Sequence, residues 1–182
     1  NLYFLLTISS VGLILLSYMI IYIPKFNYIK ARIFSFFDKE TGTHNFQSDK
    51  AIESITSGGF FGKGIGEGTL KNRVPEAHTD YIISVISEEF GVIAIILILI
   101  LFLVLIYMVF KKISFETEEQ NKLILIGSIS LILMQATIHI GVNIRLFPTT
   151  GMTLPFLSYG GSSIVSTSIL TGIILNLTKR KI

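Results

Sequence analysis

The chain has 182 residues, 51% of them apolar and only 15% charged, where a soluble domain of this size carries about a quarter charged residues. There is no cysteine, which excludes disulfides, thiolate metal sites and cysteine nucleophiles, and no tryptophan, so any interfacial belt must come from Tyr and Phe. The net charge of +3 is scattered or gathered at the ends of apolar runs, which does not make a nucleic-acid surface.

The charge deficit comes from four apolar runs, each near the ~20 residues that cross a hydrocarbon core as a helix. The first is Leu2 to Ile23, closed by Pro24. Asn1 leads straight into it with no Met and no basic segment, so a signal peptide is not read, and the chain is expected to be the C-terminal part of something longer. The second run is Phe90 to Phe110, with a polar-punctuated lead-in from Tyr81, and the third is Leu123 to Ile144. The fourth, Gly161 to Leu177, carries Ser162, Ser163, Ser166, Thr167, Ser168 and Thr171, whose hydroxyls can bond back to helix carbonyls and let helices approach closely. The alternation a barrel needs is absent, so lipid leaves helices as the solution. The expected fold is an all-α polytopic membrane protein: a single membrane domain over 1–182, with four transmembrane helices at 2–23, 81–110, 123–144 and 161–177 and a long extracytoplasmic loop over 24–80.

Lys111, Lys112 and Lys122 flank the short loop between the second and third spans, and Lys179, Arg180 and Lys181 follow the fourth. Both places fall on one side if the spans alternate, and the positive-inside rule makes that side, and the C-terminus, cytoplasmic. The 24–80 stretch is then outside. With eight Lys/Arg and seven Asp/Glu it is nearly neutral, and it exceeds the ~15 residues beyond which loops are usually functional or disordered. It begins with an amphipathic set (Tyr28, Ile29, Ile33, Phe34, Phe36, Phe37) suited to the membrane interface.

Next comes Gly58 to Thr69, with glycine at every second position from 62 to 68. Bare backbone on one face lets another group approach closely. The spacing is not that of a P-loop and no Rossmann-type strand precedes it, which leaves a turn-rich loop packed on the membrane domain or, as the sharper alternative, contact with a pyrophosphate.

The densest polar cluster is Lys71-Asn72-Arg73-Val74-Pro75-Glu76-Ala77-His78-Thr79-Asp80, at the outer end of the second span. A helix beginning near Thr79 places Asp80, Ser84, Ser87, Glu88 and Gly91 on one face, a polar stripe whose buried carboxylate calls for a cavity or a partner. Glu89 points elsewhere and needs a different partner. Asp80 reads either as a carboxylate in the first helical turn, with Thr79 as N-cap, or as a general base at the membrane surface, and the two are compatible. His78 can shuttle protons or shape the loop; Glu76 is solvated or ion-paired; Lys71 and Arg73 can hold a phosphate or balance nearby acids. In the third span Ser128, Gln135, His139 and Asn143 form a stripe that turns inward and bonds between helices, and Arg145 at its outer end binds an anionic head group or snorkels. Pro148 to Ser163 is apolar yet full of helix breakers, which at membrane depth requires burial or a cavity; a re-entrant segment reaching toward the site is expected.

Two stretches carry a family resemblance. Pro75-Glu76-Ala77-His78-Thr79-Asp80-Tyr81-Ile82 followed by Glu88-Glu89-Phe90-Gly91, and Pro148 through Ser163 with Leu-Pro-Phe-Leu-Ser-Tyr-Gly-Gly-Ser-Ser inside it, resemble the two signatures of the SEDS family, the polytopic cell-wall polymerases of division, elongation and sporulation. The resemblance covers the whole chain but only the C-terminal part of a fold that usually has ten spans, and Lys71 and Thr153 place it nearer the division branch than the elongation branch. It implies an inverting peptidoglycan glycosyltransferase that polymerises lipid II on the outer face of the cytoplasmic membrane, with Asp80 as the catalytic base. Candidate substrate-binding residues are Lys71, Arg73, Glu76, His78, Thr79, Glu88, Arg145 and Ser158. The leaving pyrophosphate needs cationic help, from Lys71, Arg73, Arg145 or a divalent cation such as Mg or Mn. The implied partners are lipid II, a class B penicillin-binding transpeptidase, other divisome proteins and membrane lipids. Two positions depart from the pattern: Thr150 stands where many relatives carry Lys, and Tyr81 where Phe is common. Two other readings compete, a flippase for the lipid-linked precursor, motivated by the buried polar stripes, and a non-catalytic divisome scaffold, motivated by the outer loop.

Overall fold

The computed structural model describes residues 2–27, 31, 36, 43–74 and 76–179. The amphipathic set at Tyr28, Ile29, Ile33, Phe34 and Phe37 lies outside them, as do Pro75, Arg180 and Lys181. Every described element is helical: α1 Leu2–Tyr22, a 3-10 turn Pro24–Phe26, α2 Thr43–Gly58, α3 Leu70–Arg73, α4 Ile82–Phe115, α5 Glu119–Asn143 and α6 Gly161–Thr178. The residues divide into two units, Asn1–Phe46 and Gln47–Ile182.

In the first unit α1 is a 21-residue helix whose described side chains are all exposed, Phe4, Ile14 and Leu15 among them. Apolar side chains on every face suit a helix surrounded by lipid. Three of its hydroxyls fold back onto its own carbonyls, Thr7 to Phe4 at 2.9 Å, Ser10 to Thr7 at 2.9 Å and Ser17 to Ile14 at 2.8 Å, which satisfies them where they face hydrocarbon.

The second unit is built on α4, α5 and α6, three helices long and apolar enough to cross a membrane. One cluster joins them toward the α4 C-terminus: Val109, Leu125, Ile129, Ile132 and Ile174 are buried, flanked by Phe102, Leu105 and Leu170. At the other end Ala51, Leu70, Val74, Ala77, Tyr81, Val85 and Val142 pack α2, α3 and the following turn against α4 and α5. Between them Ile83, Ala136 and Leu154 seat the segment that precedes α6. Association of helices in lipid rests on close packing and hydrogen bonds more than on burial from water, and the second unit is rich in both.

The 24–80 stretch, expected as loop, holds two helices. α2 escapes a hydrophobic-period reading because the face it buries is Ser48, Ala51 and Ser54, small residues at a three-residue spacing. That face lets α2 come very close to α4: a Cβ added at Gly58 would lie 2.0 Å from the Ser87 carbonyl oxygen.

α4 is broken at Gly91, whose φ of 79° and ψ of −177° leave the helical region. The break strips carbonyls and amides of their helical partners, and at membrane depth each must be satisfied. The glycine-rich loop does this with its own backbone. The Lys63 and Gly64 N–H groups donate to the Glu88 and Glu89 carbonyls at 2.9 and 3.1 Å, and the Val92 and Ile93 N–H groups donate to the Gly59 and Phe60 carbonyls at 3.0 and 3.4 Å. Gly62 lies so close that a Cβ would sit 2.2 Å from the Glu89 oxygen, and its φ of +78° also favours glycine. The close approach expected of the alternating glycines is therefore made to the broken helix. Gly62→Ala combines a left-handed backbone with overpacking, so it is expected to destabilise by about 2–4 kcal/mol; faster amide exchange at Lys63, Gly64 and Val92 reads out the lost docking.

Candidate active site

The turn that carries Asp80 is compact. The Thr79 and Asp80 N–H groups donate to the Glu76 carbonyl at 3.2 and 3.0 Å, and the Thr79 hydroxyl donates to the same oxygen at 3.1 Å. The helix starts later than the local pattern suggests. Its N-cap is Tyr81 with no side-chain cap bond, and there is no acid in its first turn, so Thr79 is not the cap and Asp80 precedes the helix. The reason is tertiary. The Asn143 side chain on α5 serves the helix start from outside, its Oδ1 accepting from the Ser84 N–H at 3.2 Å and the Ser84 hydroxyl at 2.7 Å. Its Nδ2 donates to the Asp80 carbonyl at 2.9 Å and to the His139 carbonyl at 2.9 Å. Asn143 is fully buried, and one side chain thus holds both the backbone of Asp80 and the first turn of α4.

The inward stripe of α5 binds the segment before α6. His139 Nδ1 donates to the Met152 carbonyl at 2.8 Å, and Gln135 Nε2 donates to the Thr153 carbonyl at 2.9 Å and the Ser163 hydroxyl at 3.0 Å. Ser158 closes the arrangement: its hydroxyl donates to the Thr79 carbonyl at 2.7 Å and accepts from the Leu154 N–H at 2.8 Å. The Tyr159 N–H adds a bond to the His78 carbonyl at 3.1 Å. The two signature stretches, about 70 residues apart in sequence, therefore meet around Asp80. Gly151, in a left-handed turn at φ +71°, passes so close that a Cβ there would lie 3.8 Å from Asp80 Oδ2. Asp80 is half-buried, and His78 and Glu76 are exposed.

Four candidate residues stand away from this turn, and all four are ion-paired. Glu88, 1% exposed, accepts from Lys63 Nζ at 2.8 Å, the Thr69 hydroxyl at 3.1 Å and the Leu70 N–H at 3.0 Å. Its carboxylate thus fastens the glycine-rich loop and the start of α3 to α4. The partner that Glu89 requires is Lys71, whose Nζ donates to Glu89 Oε1 at 3.1 Å and to the Gly66 carbonyl at 2.7 Å. Arg73 and Arg145 both reach α2, Arg73 lying 3.8 Å from Glu53 and Arg145 pairing with Asp49. The Lys50 ammonium, hydrogen-bonded to Glu53, holds that carboxyl below the usual range, and Arg73 adds to the effect. Nothing in the local pattern singles out Lys63, Thr69, Asp49 or Glu53, because each acquires its role through a contact with a distant segment.

Among the described residues no group of three or more His, Asp or Glu side chains gathers in a way that would hold a metal ion. The turn itself supplies two carboxylates, the half-buried Asp80 and the exposed Glu76. That donor set fits a Mg-type ion only when substrate phosphate and water complete the shell.

The chain matches the FtsW/RodA/SpoVE cell cycle protein family over residues 1–182. It is 36% identical over 181 residues to a probable peptidoglycan glycosyltransferase FtsW of Enterococcus hirae, covering 94% of this chain and 46% of that one. It is 38% identical over 158 residues to a protein of the same description from Caulobacter vibrioides, covering 86% and 40%, and 38% identical over 135 residues to the stage V sporulation protein E of Bacillus subtilis, covering 74% and 37%. A chain in a solved peptidoglycan synthase complex, described as coordinating polymerization and crosslinking, superposes with a TM-score of 0.71 at 25% identity, covering 97% of this chain and 48% of that chain. The chain spans about half the length of the curated relatives it matches. With helices alone among the described elements, three of them long and apolar enough to cross a membrane, and a match that runs from end to end, the chain is an integral membrane member of the FtsW/RodA/SpoVE family of cell cycle proteins.

Proposed function

We propose that the chain forms the base-carrying half of a peptidoglycan glycosyltransferase that polymerises lipid II at the outer face of the cytoplasmic membrane during division, with the C-terminus inside. The observation that carries this reading is the placement of Asp80. Its turn sits at the mouth of a membrane-crossing helix, is fixed by Asn143, and is bordered by the Gly151 bend and the Ser158 and Tyr159 contacts. A substrate anchored in lipid presents its sugars at such a height.

In this mechanism the Asp80 carboxylate takes the proton of the acceptor sugar's 4-hydroxyl as the oxygen attacks the donor's anomeric carbon. The bond to the undecaprenyl pyrophosphate breaks, and the anomeric centre inverts. Negative charge develops on the leaving phosphates and calls for preorganised cations. Lys71 is half-buried and held by Glu89, whereas Arg73 and Arg145 pair with the exposed acids Glu53 and Asp49. Such surface pairs are worth only about 0–1 kcal/mol, so both arginines can turn to a phosphate at small cost. Asp80 is the residue that would help hold a Mg or Mn ion, which would supply further neutralisation of the charge on the leaving phosphates. A class B penicillin-binding transpeptidase, which would crosslink the nascent glycan, is the partner this reading calls for.

The flippase reading has less support. Of the polar groups that motivated it, Glu88 and Asn143 are each engaged by three protein partners, Gln135 by two and His139 by the Met152 carbonyl, which suits fixed structure better than a path for a polar head group. Reconstitution with the complementary N-terminal half of a relative and the transpeptidase, followed by addition of lipid II, is expected to give glycan chains resolvable on a gel. Translocation of lipid II across vesicles without polymer would overturn the proposal.

A further inference from the structure

α4 has 34 residues, about 51 Å of helix against a hydrocarbon core of about 30 Å, so much of it stands outside the membrane. Where the boundary falls is readable. From Val92 to Phe110 no side chain is charged, and the polar residues Ser84, Ser87, Glu88 and Glu89 precede while Lys111 and Lys112 follow. That stretch is about 28 Å long, a match to the hydrocarbon thickness. Gly91, where the helix breaks, therefore lies at one edge of the apolar layer.

The glycine-rich loop is fastened at this level by the four backbone bonds across the break. Its Lys63 and Thr69 bond inward to Glu88, and Lys71 of α3 reaches back to Gly66 and Glu89. Its large apolar members turn outward: Phe60 is 74% exposed, Phe61 84% and Ile65 79%. Leaving such side chains in water forgoes roughly 1.5–3 kcal/mol each. Phe90 and Ile93 beside them are also exposed, and the patch continues into Ile96, Leu97 and Ile100 on the lipid-facing surface of α4.

We propose that Phe60, Phe61 and Ile65 form an interfacial anchor that enters the acyl-chain edge of the bilayer, with the glycine-rich loop as the wedge that carries it. The occupant of this patch is lipid, because the patch lies at the hydrocarbon boundary and is continuous with a helix surface that faces acyl chains. The anchor ties the depth of α4 to the break at Gly91. Ile82 then stands about 14 Å farther out along the helix, and Asp80 just beyond it; that this is the working height of the sugar rests on the proposed function.

The chain has no tryptophan, so Phe61→Trp, at an exposed position, introduces a single reporter. In phosphatidylglycerol/phosphatidylcholine vesicles its emission is expected to be blue-shifted. Quenching by lipids brominated near the head-group end of the acyl chain is expected to exceed that by lipids brominated near the methyl end by about threefold, in keeping with insertion of 5–10 Å. Ile65→Trp is expected to behave alike, and circular dichroism confirms that both variants fold. Quenching by aqueous iodide with none by brominated lipid would overturn the proposal, as would inaccessibility to both, which would mean that protein covers the loop. Neither readout depends on glycan synthesis, so the anchor and the enzymatic reading stand or fall separately.

Discussion

Replacing Lys63 with methionine is expected to destabilise the protein by about 3–5 kcal/mol, because it strands the Glu88 carboxylate, which is buried to 1% exposure, without its counter-charge. Glu88→Ala is expected to cost less, about 2–3 kcal/mol, since Lys63 is 36% exposed and can turn to water, leaving chiefly the Leu70 N–H unsatisfied. The ordering is the informative part. If the pair were a surface salt bridge, each change would cost under about 1 kcal/mol and the order would be arbitrary. Unfolding of the detergent-solubilised variants gives the energies, and proteolysis within 59–68 locates the loss, since the loop should be cut first once its fastening to α4 is gone. The same experiment assigns Glu88 between two roles. A substrate ligand would be stabilised or spared when removed, whereas a fastening residue is destabilised in the absence of any substrate.

Asp80→Asn is expected to lower the rate of glycan polymerisation by about 10²–10⁴-fold, the range that a positioned general base contributes. The amide keeps the volume of the carboxylate, and the bond that Asn143 makes is to the Asp80 backbone carbonyl, so the turn and the start of α4 should survive. Stability is expected to change by less than about 1 kcal/mol, and binding of the transpeptidase should be unaffected. A loss of polymer together with a loss of folding would instead mark Asp80 as structural.

The apolar runs were legible as helices because each is close to a bilayer in length and, without the alternation of a barrel, lipid leaves only the helix. α4, α5 and α6 start or end within a few residues of the expected spans except at the α4 C-terminus, which runs on to Phe115 through Lys111 and Lys112. The two signatures were legible as parts of one site, and the structure brings them together through Ser158 and Tyr159. The start of α4 was not, since Thr79 looks like an N-cap by type and spacing, while the group that serves the helix start is Asn143, 59 residues away from Ser84. Nor was the break at Gly91. One glycine in an apolar run announces nothing, and the loop that completes its hydrogen bonding lies about 30 residues upstream. Similarly the alternating glycines declared that something approaches closely without declaring that it is the helix. The charges of the outer loop were visible one by one, but the pairs they form, Lys63 with Glu88 and Arg145 with Asp49, join segments whose proximity only the fold creates.

In the proposed mechanism the Asp80 carboxylate removes a proton during glycan polymerisation. The most direct test is the pH dependence of lipid II polymerisation by wild type and Asp80→Asn, each matched for folded protein and each with the N-terminal half and transpeptidase supplied. The wild-type rate is predicted to fall on acidification as the carboxylate takes up a proton, and the variant is predicted to be at least about 100-fold slower with that acid limb missing. An acid limb of the same position and steepness in both proteins, or equal rates, would contradict the assignment.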